Sequence, residues 1–420
     1  MKKYIQIFTL VIVLIFSLKF FQNTPFETLF FQIQAIFLGF ILIFLVLYMG
    51  SYLFNKEHPN AVVWYFLILI MIIPLYSAYR ASMEFGQPFV YGFLSERGWL
   101  IIGVGVWLYA VLIKEKMTIA TVESTFVIMA WASLLFFSVF ILIFDPNQLQ
   151  GGAYGESKMI SATQDRGLRF KFQLYFITFG SIYYFVKYTI NRNPKDIVLL
   201  LAFLAYVIFV VQGRTYMIFL GTTFLLYFWF NFSIDRLIPV VIKLIFLIFL
   251  SALFMQALMP DYIDRMSHLF VQMFEVLKGR ESLDASANSR IFQSEIVYKY
   301  FERNPLSIFL GTGSISNQWH NGYNSIFGRF YPSDIGLLGG LFVYGIIGMI
   351  FLCLIPMIVT IRTIRLLSEE NNVFIITLKY LLIYMLLKFV QGSFYFGVTG
   401  YIIPLFILLA YIKLREGVEY

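Results

Sequence analysis

Apolar runs recur along this chain from end to end, each close to the roughly 20 residues that a helix needs to cross the hydrocarbon of a bilayer. The stretch from Leu29 to Phe54 holds no charged side chain at all. Runs of this kind mark about twelve candidate spans. They lie near Tyr4 to Phe21, Leu29 to Phe54, Ala61 to Tyr79, Trp99 to Ile113, Met117 to Phe144, Phe172 to Ile190, Asp196 to Gln212, Thr215 to Phe232, Leu237 to Leu258, Ile335 to Ile361, Val373 to Val390 and Ser393 to Ile412. Such a chain folds as helix on helix inside the membrane, because hydrocarbon offers backbone N–H and C=O groups no outside partner. Composition agrees: charged residues make up 13% of the chain, against about 25% in an ordinary soluble domain. The expected fold is all-α, a polytopic helix bundle.

Cys353 is the only cysteine, which excludes an internal disulfide, a thiolate cluster or a redox pair. Met1 to Phe21 opens with two lysines and an apolar run, as a signal peptide does, but the "FFQNTPFE" that follows is too bulky for a cleavage site. An uncleaved first span is expected.

Lysine and arginine are retained on the cytoplasmic side of short loops. With the N-terminus inside, the inner connections carry Lys2 and Lys3, Lys56, Lys114 and Lys116, Lys187, Arg192 and Lys195, Arg236, Arg362 and Arg365, then Lys413 and Arg415. The first outer turn, Gln22 to Thr28, carries none. Both termini are then cytoplasmic, and the long loops Asp145 to Lys171 and Met259 to Asp334 lie outside. Residues 1–258 form an N-terminal bundle of about nine spans, residues 259–334 one large extracytoplasmic loop, and residues 335–420 the C-terminal helices.

The large loop is the one segment long enough to be a soluble element. In "DYIDRMSHLFVQMFEVLKGRE", Ile263, Met266, Leu269, Phe270, Met273, Phe274 and Leu277 recur at helical spacing. The spacing predicts an amphipathic helix along the membrane surface or over a cavity. A second helix is expected to start after Asn288 or Ser289, both good N-caps, and to stop at Asn304-Pro305. Polar groups and glycines then crowd into "GTGSISNQWHNGYNSIFGRFYPSDIGLLGG", with one of only three histidines.

Ionisable groups at membrane depth are costly and are functional candidates by default. Arg214 sits in the turn "VVQGRTYMIF" between two apolar runs, and Lys388 precedes a similar turn in "KFVQGSFYF". For Lys388 a structural role is the better reading. Arg290, Arg166 and Arg169 add cations on the same expected side, and guanidinium groups suit a diphosphate because they never deprotonate and grip oxygens in a fork. Met259 to Asp334 holds seven Lys or Arg against eight Asp or Glu, so only particular arginines, not a general positive field, could recruit such a group. His320 is the natural general base, with an ordinary pKa near 6.5. There is no D-x-D motif, H-x-x-x-H pair or cysteine cluster, so no metal site and no cofactor are expected. No nucleic-acid partner is expected either.

The order of "GRTYMIF", "NSRIFQSEIVYKYFERNPLSIFLGTGS" and "HNGYNS" followed by "SDIGLLGGLFVYGIIG" resembles the superfamily of O-antigen polymerases and O-antigen ligases. The resemblance implies a GT-C-like membrane glycosyltransferase that is metal-independent and inverting, acting on the outer face. The donor it implies is an oligosaccharide on undecaprenyl diphosphate in the bilayer, with a flippase and a chain-length regulator as further partners. It assigns Arg214 and Arg290 to the diphosphate and His320, within a His-Asn pair completed by Asn321, to the attacking hydroxyl. Arg166 and Arg169 would support the diphosphate, and Asn321, Tyr323, Arg329 and Asp334 lie in the loop that would orient the acceptor. Arg169 with Gly180, and Arg329 with Gly340, repeat a spacing found in some polymerases. Beyond Asn321 the glycine of the ligase pattern is replaced by Tyr331, which favours repeat-unit polymerase over ligase. A flippase for the same lipid remains the alternative from another class.

Overall fold

A computed structural model describes residues 2–24, 26–55, 60–114, 116–143, 160–163, 167–170, 172–232, 242, 271, 285–391 and 400–416. The N-terminal helices are α1 (Lys2–Ser17), α2 (Glu27–Asn55), α3 (Ala61–Phe85), α4 (Phe89–Ser95), α5 (Ile102–Ile113) and α6 (Ile119–Ile143). A 3-10 turn, Glu96–Ile101, joins α4 to α5. After a hairpin of β1 (Ile160–Thr163) and β2 (Gly167–Phe170) come α7 (Tyr175–Asn191), α8 (Pro194–Tyr206) with a π turn at Val207–Val211, and α9 (Arg214–Asn231). The C-terminal part holds α10 (Ala285–Arg303), the short α11 (Leu306–Leu310) and α12 (Tyr323–Phe327), then a 3-10 turn at Pro332–Ile335. It ends with α13 (Gly336–Met349), a π turn at Ile350–Leu354, α14 (Ile355–Leu366), α15 (Val373–Gln391) and α16 (Ile402–Glu416).

Six of these stretches are long and apolar enough to cross a membrane: Glu27–Ser51, Ala61–Phe85, Phe89–Ile113, Ile119–Ile143, Pro194–Val211 and Pro332–Leu366. The chain is a helical membrane protein. Helices α7, α9, α15 and α16 also stand where spans were expected, at 17, 18, 19 and 15 residues. The expected span at Leu237 to Leu258 and the amphipathic helix of Ile263 to Leu277 lie outside the described residues, apart from single positions. The described residues form a helical bundle, as expected, with one short β1–β2 hairpin that sets Ile160 opposite Phe170. One expectation is corrected. The crossing segment expected from Trp99 already begins at Phe89, because the charged pair Glu96-Arg97 is carried inside the helical run rather than in a loop.

Hydrogen bonds between helices fix their directions. The Gln6 side chain donates to the Lys116 carbonyl, so the starts of α1 and α6 share one end. Phe137 packs on Phe172 at 4.9 Å, Phe126 on Phe179 at 5.1 Å, and Tyr183 OH donates to Glu123 at 2.8 Å, so α7 runs back along α6. Thr178 meets Tyr216 at 2.7 Å and Thr189 meets Tyr227 at 2.6 Å, both pairs 38 residues apart; a constant offset means that α7 and α9 run parallel. One end of the bundle therefore gathers the turns of Lys2 and Lys3, Lys114 and Lys116, Arg192 and Lys195. The other gathers residues 18–24, Arg214 and, through the Gln173 side chain on the Leu18 carbonyl at 2.8 Å, the exit of the hairpin.

The core is aromatic and tightly interlocked. Helix α16 lies on α5 so closely that a side chain at Gly105 would run into Ile402 and Phe406. Without a hydrophobic force between helices in lipid, close van der Waals packing of this kind carries their association.

Candidate functional site

Inside the bundle the chain abandons helix where "GTGSIS" begins. Residues 311–316 form an extended segment between α3 and α13, all of them buried. Thr312 N donates to Phe342 O at 2.9 Å and Gly313 N to Val343 O at 2.8 Å. Helix α13 breaks at the same level, with Gly345 at φ 65° and ψ 179°. Gly313 has φ 79°, and a Cβ there would run into the Ser77 carbonyl of α3. Only glycine combines that left-handed backbone with that close approach.

Buried backbone outside a helix needs side-chain partners, and α3 with the turn after it supplies them. Arg80 donates to the Gly311 carbonyl from Nε at 3.0 Å and from its terminal nitrogen at 2.9 Å. Ser77 Oγ accepts from Ser314 N at 2.9 Å. Gln87, fully buried, donates to Ser314 O at 3.2 Å and accepts from Ser316 N at 2.7 Å. Arg80 is held in turn by Glu84 at 3.0 Å, and Glu84 also accepts from Tyr300 OH and, at 3.4 Å, from Ser307. Beside this lies Glu96, 2% exposed, which accepts from Ser77 Oγ at 2.7 Å, from Trp99 Nε1 at 2.8 Å and from Tyr344 OH at 3.0 Å.

These elements wall a cavity of about 700 Å³ whose lining includes Lys19, Phe31, Gln34, Glu96, Arg97, Ser314, Ser316, Asn317 and Gln318. Lys19 lies in the turn between α1 and α2 with φ 51°. Burial and, next, the neighbouring Arg97 charge hold its amine below the usual lysine range, partly offset by Glu27. The Arg97 guanidinium lies over the Phe31 ring, 4.9 Å from its centre, a cation–π contact that keeps the arginine on the wall.

The histidine loop leaves this rim. His320 follows Gln318 by two residues; it is exposed and packs edge-on to Trp319 at 4.9 Å. His320 and Asn321 are both left-handed, at φ 47° and 64°. Two adjacent non-glycine residues in that region cost about 1–3 kcal/mol each and persist where the surroundings over-determine them. What holds them is Tyr323, 8% exposed, whose hydroxyl donates back to Gly313 O at 2.7 Å. Its ring belongs to a cluster with Phe330 and Phe342, so Tyr323 anchors the loop rather than facing an open surface. From α10, Gln293 accepts from Tyr331 N at 2.8 Å.

The other expected site residues are spread more widely. Arg290 is exposed on α10, one turn before Gln293; α10 itself starts at Ala285, earlier than the Asn288–Ser289 cap expected, and ends before Asn304 as expected. Asn321, Arg329 and Asp334 are exposed on the loop. Arg214, half-buried, opens α9 directly after the left-handed Gln212 (φ 48°). The strand carrying Arg169 touches the π turn that feeds Arg214, whereas Arg166 lies outside the described residues. Helix α9 packs chiefly on α15, while α10 packs on the 3-10 turn, α13 and α11, so the two arginines stand on elements with different neighbours. Sequence reasoning missed Lys19, Arg80, Glu84, Gln87, Glu96 and Arg97. For all but Lys19 the signal was present in "YRASMEFGQPFVYGFLSERGWL", as charged and polar groups interrupting an otherwise apolar region, and Lys19 interrupts "IFSLKFFQ" in the same way.

Among the described residues no three His, Cys, Asp or Glu side chains stand together as a metal site. No protein-family model and no curated protein matches this chain.

Proposed function

We propose that this protein is a membrane glycosyltransferase of the repeat-unit polymerase kind, joining glycans carried on undecaprenyl diphosphate. One observation supports it most. Non-helical backbone within a membrane bundle is tolerated where it is buried in protein or borders a watery cavity; the buried segment 311–316 gives Ser314, Ile315 and Ser316 to the wall of the cavity of Lys19 and Arg97, and His320 follows two residues after the last lining residue, Gln318.

Sidedness follows from charge. The end that gathers Lys2, Lys3, Lys114, Lys116, Arg192 and Lys195 is cytoplasmic by the positive-inside rule. The cavity end is then extracytoplasmic, twelve spans bring both termini to the cytoplasm, and the loop at residues 259–334 lies outside. The acceptor hydroxyl, oriented by the loop from Gly311 to Asp334, attacks the anomeric carbon of the donor. As the new glycosidic C–O bond forms, the bond to the diphosphate oxygen breaks and its electron pair leaves with the diphosphate, while His320 takes the hydroxyl proton. Arg214 and Arg290, with Arg166 or Arg169 in support, stabilise the departing charge. A transporter would need polar groups with access to both faces; the polar network described above gathers instead around the cavity end.

The test is genetic and chemical. In the native bacterium the gene is deleted, complemented with wild type or His320→Ala, and the surface glycan is sized. Chains that collapse to a single repeat unit, and that His320→Ala fails to lengthen, are the expected result. Loss of all surface glycan with full-length chains left on the carrier would replace polymerase by ligase.

A further inference from the structure

The cavity between the α1–α2 turn and the α4–α5 turn is lined by two cations that no expected role uses, Lys19 and Arg97. They are close enough for the Arg97 charge to act on the Lys19 amine. Among the described residues neither forms an ion pair. Glu96 is the carboxylate in the lining, but Ser77, Trp99 and Tyr344 already engage it. Glu27 lies beyond, accepting from Asn23 N at 3.1 Å. Two like charges facing one low-dielectric space repel, and an anion between them relieves that repulsion.

The remaining lining suits an oxyanion with a tail. Ser314, Ser316, Asn317 and Gln318 supply neutral polar groups, and Gln34 is fixed by its own bond to Phe16 O at 2.7 Å. On α2, which forms one wall, Phe31 and Leu38 present apolar surface to the cavity, and Leu94 of α4 adds to it. We propose that Lys19 and Arg97 form a binding site for a phosphate-bearing lipid headgroup, whose chain lies along α2 while its phosphate oxygens enter the cavity. The site stands on its own geometry and exists whether or not a glycan is transferred there. For a protein with two lipid-linked substrates it would hold one carrier while the arginines of α9 and α10 hold the other.

The experiment reads binding alone. Full-length protein in phosphatidylcholine nanodiscs is titrated with undecaprenyl diphosphate and, separately, with inorganic diphosphate. Wild type is expected to bind the lipid, with Lys19→Gln and Arg97→Gln each weakening binding about tenfold or more, as loss of a charged hydrogen-bond donor implies. Lys19→Arg should retain most of the affinity, and Lys195→Gln, exposed at the opposite end, should change nothing. A thermal melt of each variant separates lost binding from lost fold. Inorganic diphosphate binding with the same residue dependence identifies the headgroup as sufficient; lipid binding without it shows that the chain along α2 is required, and either supports the site. Absence of binding by wild type, or equal binding by wild type and both glutamine variants, overturns it. Because no transfer is measured, a failure of the polymerase reading would leave this result untouched.

Discussion

Ser77 Oγ donates to Glu96 Oε1 at 2.7 Å, and the same oxygen accepts the backbone N–H of Ser314 at 2.9 Å. One hydroxyl thus joins α3, the buried carboxylate and the non-helical segment. Removing the carboxylate strands three donors, Ser77, Trp99 and Tyr344, away from water. An unsatisfied buried donor costs about 1–3 kcal/mol. Glu96→Ala should therefore lower the melting temperature in detergent clearly, and Glu96→Gln, which keeps one acceptor oxygen, by less. Unchanged melting of Glu96→Ala would show that the network contributes nothing to stability.

Glycine at 313 is required by both backbone and space. Gly313→Ala forces a Cβ into the Ser77 carbonyl at φ 79° and should destabilise by about 2 kcal/mol or more. Gly221→Ala makes the contrast: it lies on α9 with open space where a Cβ would go, so it should be neutral or gain about 0.5–1 kcal/mol from helix propensity. Equal melting temperatures for the two variants would remove the close-approach argument.

Arg290 is exposed on α10, so its replacement should spare the fold and report on function. Lysine keeps the charge but loses the planar fork that grips two oxygens. In the glycan-sizing assay, Arg290→Lys should shorten the chains while leaving membrane levels of the protein at wild type. Full-length ladders from this variant would overturn the diphosphate role proposed for Arg290.

Glu370 lies in the turn between α14 and α15, where it accepts from Tyr411 OH at 2.9 Å and from Arg415 at 2.8 Å. Burial pushes its carboxyl upward, but the backbone donors of Asn372 and Asn371, the Tyr411 hydroxyl and the Arg415 charge together outweigh it, and the net shift is downward. A carboxyl lowered on folding adds stability that is fully present above its unfolded value, about 4.3, and lost as the pH falls through the folded value. Wild type should melt at a constant temperature from pH 7 to pH 5 as far as this group is concerned, and lower below that. Glu370→Gln should melt below wild type at pH 7, with the difference closing in acid. A gap that does not depend on pH would assign the effect to packing.

Orientation can be read chemically, since Cys353 is the only native cysteine. In a Cys353→Ala background, Gln318→Cys should react with an impermeant maleimide on intact cells, and Lys195→Cys only after permeabilisation. The reverse pattern would place the cavity in the cytoplasm and exclude an outer-face reaction.

The sequence by itself determined that this is a helical membrane protein and where most crossings fall. Each such helix satisfies its backbone internally, so a local run of apolar residues is enough to specify it. The crowding of glycines and polar groups at Gly311 to Gly340, and the end of α10 before Pro305, were legible for the same reason: turn and cap chemistry is local. Tertiary structure alone decided which residues meet that segment. Arg80 reaches Gly311 across 231 positions, Gln87 reaches Ser316 across 229 and Tyr344 reaches Glu96 across 248. Nothing in the chain near Glu96 shows that Tyr344 will solvate it, so the sequence shows only a charge interrupting an apolar run. Placing that charge inside the bundle, and bringing Lys19 and Arg97 to one cavity, depends on how α1 to α5 and α13 pack. That packing is a property of shapes meeting over long separations, which no local pattern carries.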